Sequence, residues 1–210
     1  ALFFYLLFHG AETREQIGLV FWPDSSTQHV RSNFHTTLYR ARQALGENVI
    51  VYQDGQYFLN PDLDIWCDAH ELHLLSQQAR LLPLRDARTE DLWRRAADLY
   101  QGDFLSSWDD DWVVAYRESC FETYLEALVM LGQCALARRD FRAALDACRR
   151  ALENDPYRED AHRIILTAYA ELGEKKQVID HYQRLQNLLD DDLGIAPSDE
   201  TRDLVSALLG

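Results

Sequence analysis

The chain has 210 residues, 47% of them apolar and 24 of them aromatic, and a net charge of −14. That length favours two domains, and that composition excludes a disordered chain. No run reaches the roughly 18 uninterrupted apolar residues of a membrane span, and the apolar opening lacks the basic flank and small-residue cleavage site of a signal peptide, so the expectation is a cytoplasmic protein with no membrane partner.

Residues 2–8 form a short apolar helix closed by Gly10. Because Ala1 already stands in this apolar run, the sequence reads as a piece whose native beginning lies upstream. Thr13 and Gln16 make a capping box for a second helix, with Ile17, Val20 and Phe21 on one face and Pro23 stopping it after Trp22. Residues 28–45 contain no Pro or Gly and repeat Val30, Phe34, Leu38, Ala41 and Leu45 at helical spacing, which predicts a helix about 27 Å long. Its other side carries Arg31, Ser32, Asn33, His35, Thr36, Thr37, Tyr39, Arg40 and Arg42, which are donors for phosphates and readers of base edges.

Charge supports a local rather than a global reading. Residues 1–60 carry 4 Lys/Arg against 5 Asp/Glu, residues 61–210 carry 17 against 30, and between Ser25 and Gly46 there are three arginines and no acid. Residues 49–52 and 57–59 then read as strands joined by Asp54-Gly55, a hairpin signal. A polar-faced helix followed by a hairpin is the order of a recognition helix and its wing. A solvated amphipathic helix beside a packed hairpin fits the same pattern.

Residues 62–68 read as a linker into a helix over 69–82, and residues 92–100 as a further helix. Asp68, His70 and His73 lie close together, but one carboxylate and two histidines without a further ligand at a recognisable spacing favour surface polarity over a metal site. The run Asp109-Asp110-Asp111 precedes a strong helix and suits its N-terminus. Cys67, Cys120, Cys134 and Cys148 form no C-x-x-C pair and are expected as buried, reduced thiols.

A repeat of 34 residues follows. With Leu125 at position one, Leu131, Gly132, Ala144, Cys148, Ala151 and Pro156 occupy TPR signature positions, and the shifted copy gives Ile165, Val178, Tyr182 and Leu185. Two TPR units over 125–191 are predicted, with small residues where paired helices approach.

Several motifs resemble one family. Trp22-Pro23-Asp24, Val30-Arg31-Ser32-Asn33, Leu38 to Gly46 and Gly55-Gln56-Tyr57-Phe58-Leu59 are similar to the OmpR-type winged helix of SARP-type antibiotic regulatory activators, with Val30 and Ala41 departing from its usual Ala and Leu. Tyr100-Gln101-Gly102-Asp103-Phe104-Leu105 and the tail from Leu193 to Thr201 resemble motifs of the bacterial transcriptional activation domain in that family. The resemblance implies a mainly α chain: a winged helix-turn-helix over 1–61, without the small sheet that precedes its first helix in the family, then an all-α TPR-like domain over 62–210. It also implies DNA contacts at Arg31, Asn33, Thr37, Arg40 and Arg42, with His35 and Thr36 as further candidates.

The function expected is that of a sequence-specific transcriptional activator. Its partners would be double-stranded DNA, RNA polymerase, with the sigma factor as one candidate contact, and a second copy of the chain on repeated half-sites. No G-x-S-x-G, P-loop, HExxH or dinucleotide fingerprint is present, so no catalytic residue, metal or cofactor is assigned. The acidic helical region leaves two rivals: a TPR protein-interaction adaptor and a signal-sensing module, neither binding DNA.

Overall fold

Leu2, Tyr5, Leu6, Ile17, Phe34, Leu38 and Ile50 lose nearly all their exposure within Ala1–Cys67, the first of two units in a computed structural model that describes residues 1–210. Helix α1 (Leu2–His9) ends on Gly10 at φ +79°. Strand β1 (Glu12–Thr13) precedes α2 (Arg14–Phe21), and Thr13 both ends the strand and caps the helix. The capping box is formed: the Gln16 N–H donates to Thr13 Oγ1 at 3.2 Å and the Thr13 N–H to Gln16 Oε1 at 2.8 Å. Helix α3 (Thr27–Leu45) starts one residue earlier than expected because Ser26 Oγ accepts the His29 N–H.

Strands β2 (Ile50–Gln53) and β3 (Gln56–Leu59) pair antiparallel with Tyr52 opposite Tyr57. Asp54 (φ +50°) and Gly55 (φ +86°) both take positive φ, as a two-residue type I′ turn requires. The hairpin is not isolated, since β1 pairs with β3 to give a sheet ordered β1-β3-β2. A two-residue strand is too short for an alternation pattern, so it left no mark in the sequence reading.

The second unit, Asp68–Gly210, is all helix. It contains α4 (Asp68–Arg80), α5 (Ala87–Leu99), α6 (Asp111–Ala137), α7 (Phe141–Asn154), α8 (Glu159–Glu171), α9 (Lys175–Leu193) and α10 (Asp199–Leu209). α5 begins five residues before the expected start, because Asp86 caps it and the buried Thr89 hydroxyl donates to the Pro83 carbonyl. Leu125, where the first TPR unit was expected to begin, lies inside α6, since nothing between Asp111 and Leu125 breaks a helix. α6 is long and apolar enough to cross a membrane by length and composition, but half of its most apolar window is buried. It packs against α4, α5, α7 and α8, which explains why it is apolar on several sides.

The TPR pairs are α6–α7 and α8–α9, and their tightest crossing is at Gly132. A Cβ there would sit 2.5 Å from Cys148 Sγ, so any other residue would force Cys148 to shift. α4 and α5 make a further helical pair that lacks the TPR signature positions.

Two sequence motifs turn out to hold loops. The Arg117 guanidinium donates to the carbonyls of Phe104, Leu105 and Trp108 at 2.7–2.9 Å, supporting Leu105 at φ +44°. Tyr100 stacks on Tyr124 at 4.6 Å and donates its hydroxyl to Asp103; burial and that carboxylate push its phenol up to about 12. In the tail, Gly194 closes α9 in the left-handed conformation, while the Ser198 N–H and hydroxyl bond the Glu159 carboxylate at 2.8–3.0 Å. Thr201, fully buried, accepts from Arg163 at 3.2 Å, so the tail motif staples α10 to α8.

Candidate nucleic-acid interface

Phe34 and Leu38 fix which side of α3 faces the core, and Phe34 meets the Tyr57 ring edge-on at 4.5 Å. At about 100° per residue, the seven sequence-predicted positions do not share one line on the helix. Arg31, His35 and Arg42 fall on one flank, Asn33, Thr37 and Arg40 on the other, with Thr36 near the outward midline. Arg31, His35, Thr36 and Arg40 are exposed, whereas Asn33, Thr37 and Arg42 are half-buried.

Arg42 is already engaged. Its Nε–H and Nη2–H donate to the Ile50 carbonyl at 3.3 and 2.8 Å, tying the last turns of α3 to the first residue of β2. Its role in the structure is to hold the helix against the wing, with three of its five donors left for another partner. Thr36 donates its hydroxyl back to the Ser32 carbonyl at 3.0 Å, so its free capacity is that of an acceptor.

A groove of about 630 Å³ runs between α3 and the wing, lined by His35, Tyr39, Arg42, Gln43 and Tyr52. Tyr39 and Tyr52 are 64% and 59% exposed, so their rings stand at this surface rather than in the core. Ser32, Tyr39 and Gln43 occupy the middle of the outward face; the sequence places Tyr52 in the wing but does not single out Gln43. The signal that could have found Gln43 is its position seven residues beyond Thr36, on the same face.

Arg14 is a further basic residue near the wing. It opens α2, pairs with Glu15 at 2.6 Å, and its charge acts on Tyr52 and Tyr57. Burial holds the Tyr57 phenol above its ordinary value, with Tyr52 adding to this and Arg14 and Arg42 opposing it.

The α2–α3 crossing sets where this face points. Gly18 is buried, and a Cβ on it would come 2.4 Å from Val30 Cγ1. The family-unusual Val30 therefore packs against a residue with no side chain.

Elsewhere, His73 is committed within the helical unit: Thr123 Oγ1 lies 3.2 Å from its Nδ1 and Cys120 Sγ 3.6 Å from its Nε2, and burial lowers its pKa. Asp110 is the N-cap of α6 but makes no side-chain cap bond, so the aspartates serve the helix dipole rather than a hydrogen-bonded cap. Cys120, Cys134 and Cys148 are buried, and burial pushes the Cys148 thiol up to about 12, so it stays protonated. Cys67 is only half-buried, against expectation, because it stands on the segment leading into α4.

Three comparisons bear on this arrangement. The profile of a family described as "Bacterial transcriptional activator domain" matches residues 67–209. No curated protein matches the chain. Among solved structures, one described as "Mycobacterium tuberculosis EmbR in complex with low affinity phosphopeptide" is similar, with a TM-score of 0.81 at 20% identity. The match covers 100% of this chain and 58% of that one, so the chain spans little more than half of the solved protein's length.

Proposed function

The chain belongs to the bacterial transcriptional activator domain family, and from that membership we propose that it is a sequence-specific DNA-binding activator whose α3 enters the major groove. The observation that carries the reading is the α3 surface itself. Arg31 and Arg40 project from opposite flanks of an exposed face that bears no acid, beside a wing that a type I′ turn and β1 hold in place. Arg31, Asn33, His35, Thr36, Thr37, Arg40 and Arg42 are the proposed DNA residues, joined by Gln43 and Tyr52. The two flanks suit phosphate contacts and the midline between them suits base edges.

Few cations reach the DNA. Three arginines on α3 support a salt slope of only about −3 per protomer. Binding as a homodimer on repeated half-sites supplies what a single module lacks. The helical unit is the proposed contact for RNA polymerase, with its sigma factor as one candidate, and the proposed location is the cytoplasm. The proposed activity is binding alone, with no catalytic step, metal or cofactor.

Selection from random duplexes tests the reading. Enrichment of one repeated motif is expected, with Arg31→Gln and Arg40→Gln each lowering the salt slope by about 0.9. Recovery of no motif overturns it. The second reading, a TPR adaptor or signal-sensing module without DNA binding, draws on the 17 basic against 30 acidic residues of 61–210. It gains if the helical unit captures proteins while no duplex is enriched.

A further inference from the structure

α8 lies between α7 and α9, the second helices of successive TPR pairs, and this seam holds a cavity of about 500 Å³. Arg149 and Glu153 from α7 and Arg184 from α9 line it, while Leu152 and Ile165 supply its apolar part. We propose that this cavity binds a small organic monoanion, a carboxylate on a compact apolar body, gripped between Arg149 and Arg184.

Charge selects the ligand class. Residues 61–210 hold 17 basic against 30 acidic residues, yet this cavity has two guanidiniums against one carboxylate. His181, also in the lining, adds no charge. The Nε2–H of His162 donates to the Pro156 carbonyl at 2.9 Å, which leaves His162 Nδ1 to accept the His181 Nε2–H at 2.8 Å. Both rings are neutral in that arrangement. Burial is the main reason His181 is held down to about 4, and the charges of His162, Arg184 and Arg149 act in the same direction. The two arginines therefore bear on one shared space. One net positive charge matches a carboxylate, and Glu153 weighs against a phosphate dianion.

Geometry completes the site. Arg149 Nη2 donates to the Tyr169 hydroxyl at 3.1 Å, which orients the guanidinium and leaves that hydroxyl's own proton for a ligand. Asp146 meets Arg149 through Nη1, at 3.5 Å with both side chains more than half exposed, a long and solvated pair that a ligand carboxylate can displace. Arg184 is exposed and makes no ion pair. A cavity of this size has the dimensions of a small-ligand pocket, and Leu152 and Ile165 give its largely polar lining an apolar part. The site is independent of the DNA reading, because its ligand is detected without DNA.

Sodium phenylacetate titrated into the whole chain, followed by two-dimensional NMR, tests the site. Saturable shifts at Tyr169, His181 and Leu152 are expected. The neutral phenylacetamide should give none, and phenyl phosphate should bind more weakly than phenylacetate. Arg184→Gln should weaken phenylacetate about tenfold, the loss of one charge-assisted contact. Arg149→Lys, which keeps the charge, should retain more binding than Arg149→Gln. An unchanged amide spectrum away from the cavity verifies the fold of each variant. The proposal is overturned if phenylacetate shifts none of these residues, if phenylacetamide binds equally, if phenyl phosphate binds tighter, or if the Gln variants bind like the parent.

Discussion

Each unit contains one helix crossing where a glycine stands closer to a side chain than an unshifted Cβ could, and the two crossings differ in what surrounds them. At Gly132 the opposing atom is the Sγ of Cys148, fully buried, with Ile164 methyls 3.4–3.5 Å away on the other side. At Gly18 the opposing atom is a methyl of Val30, a residue only half-buried, and the three atoms nearest the added Cβ all belong to that one side chain. The crossing in the helical unit thus presses on two neighbours, Cys148 and Ile164, whereas that in the winged-helix unit presses first on Val30, at the edge of the proposed interface. The first leaves little room to adjust, while the second can adjust through one side chain.

The largest test removes the anchor of the winged-helix unit. Phe34 is fully buried and is the largest side chain packing α3 onto the sheet. Phe34→Ala should cost about 3–5 kcal/mol. Hydrogen exchange should show α3 and the hairpin losing protection before the TPR helices do. Equal loss in both units would break the comparison. Gly132→Ala is the counterpart in the helical unit. Overpacking a site with no room costs about 1–3 kcal/mol, less the roughly 1 kcal/mol that Ala returns in helix propensity. A net loss of up to about 2 kcal/mol in denaturant unfolding is expected, and a stabilised variant would show that Cys148 can move aside.

Acid should separate the units further. His181 has a folded pKa lowered from 6.5 to about 4, so its neutral ring contributes stability that is complete above 6.5 and is lost as pH falls toward 4. His162, also lowered by burial, acts in the same sense, because a proton on its Nδ1 would turn that atom against the His181 N–H. The acidic groups around the pair, Glu159, Asp160 and Asp155, oppose the loss by favouring a charged His162. The net effect, discounted for the partial exposure of the ring, is on the order of 1–2 kcal/mol. Thermal unfolding between pH 7 and 4 should show it, and His181→Gln should flatten the dependence.

What the sequence made legible follows from how local each signal is. The capping box at Thr13, the turn at Asp54-Gly55 and the small residue at Gly132 are read from neighbours in the chain, and all three stand in the structure. β1 was invisible because its meaning lies in β3, more than forty residues away. α5 was begun too late because its first turn is polar, and the bond that buries Thr89 is made to Pro83 rather than shown by any period. The position of Arg42 suggested DNA, but its two bonds to the Ile50 carbonyl come from a fold in which the wing returns to the helix. The motifs at Tyr100 and Leu193 pointed to a family, while their work within the chain is to brace loops through Arg117 and Glu159, residues outside either motif.

The smallest effect on stability should come from Gly18→Ala, and it is the sharpest test of the comparison. Ala gains about 1 kcal/mol of helix propensity over Gly within α2. Against this, Val30 must leave the rotamer that points its Cγ1 at the new methyl, and a β-branched side chain in a helix has few alternatives, so the turn costs about 0.5–1.5 kcal/mol. The two nearly cancel, and unfolding should shift by less than about 1 kcal/mol. DNA affinity should fall more than stability does. If Val30 does not rotate, α3 itself must tilt, and Arg31 and Arg40, both carried on it, shift together against the wing. A variant as stable as the parent that has lost affinity would show that this glycine sets the reading angle. One that keeps both would show that Val30 absorbs the methyl alone, and that α3 is held by Phe34 and Arg42 without help from α2.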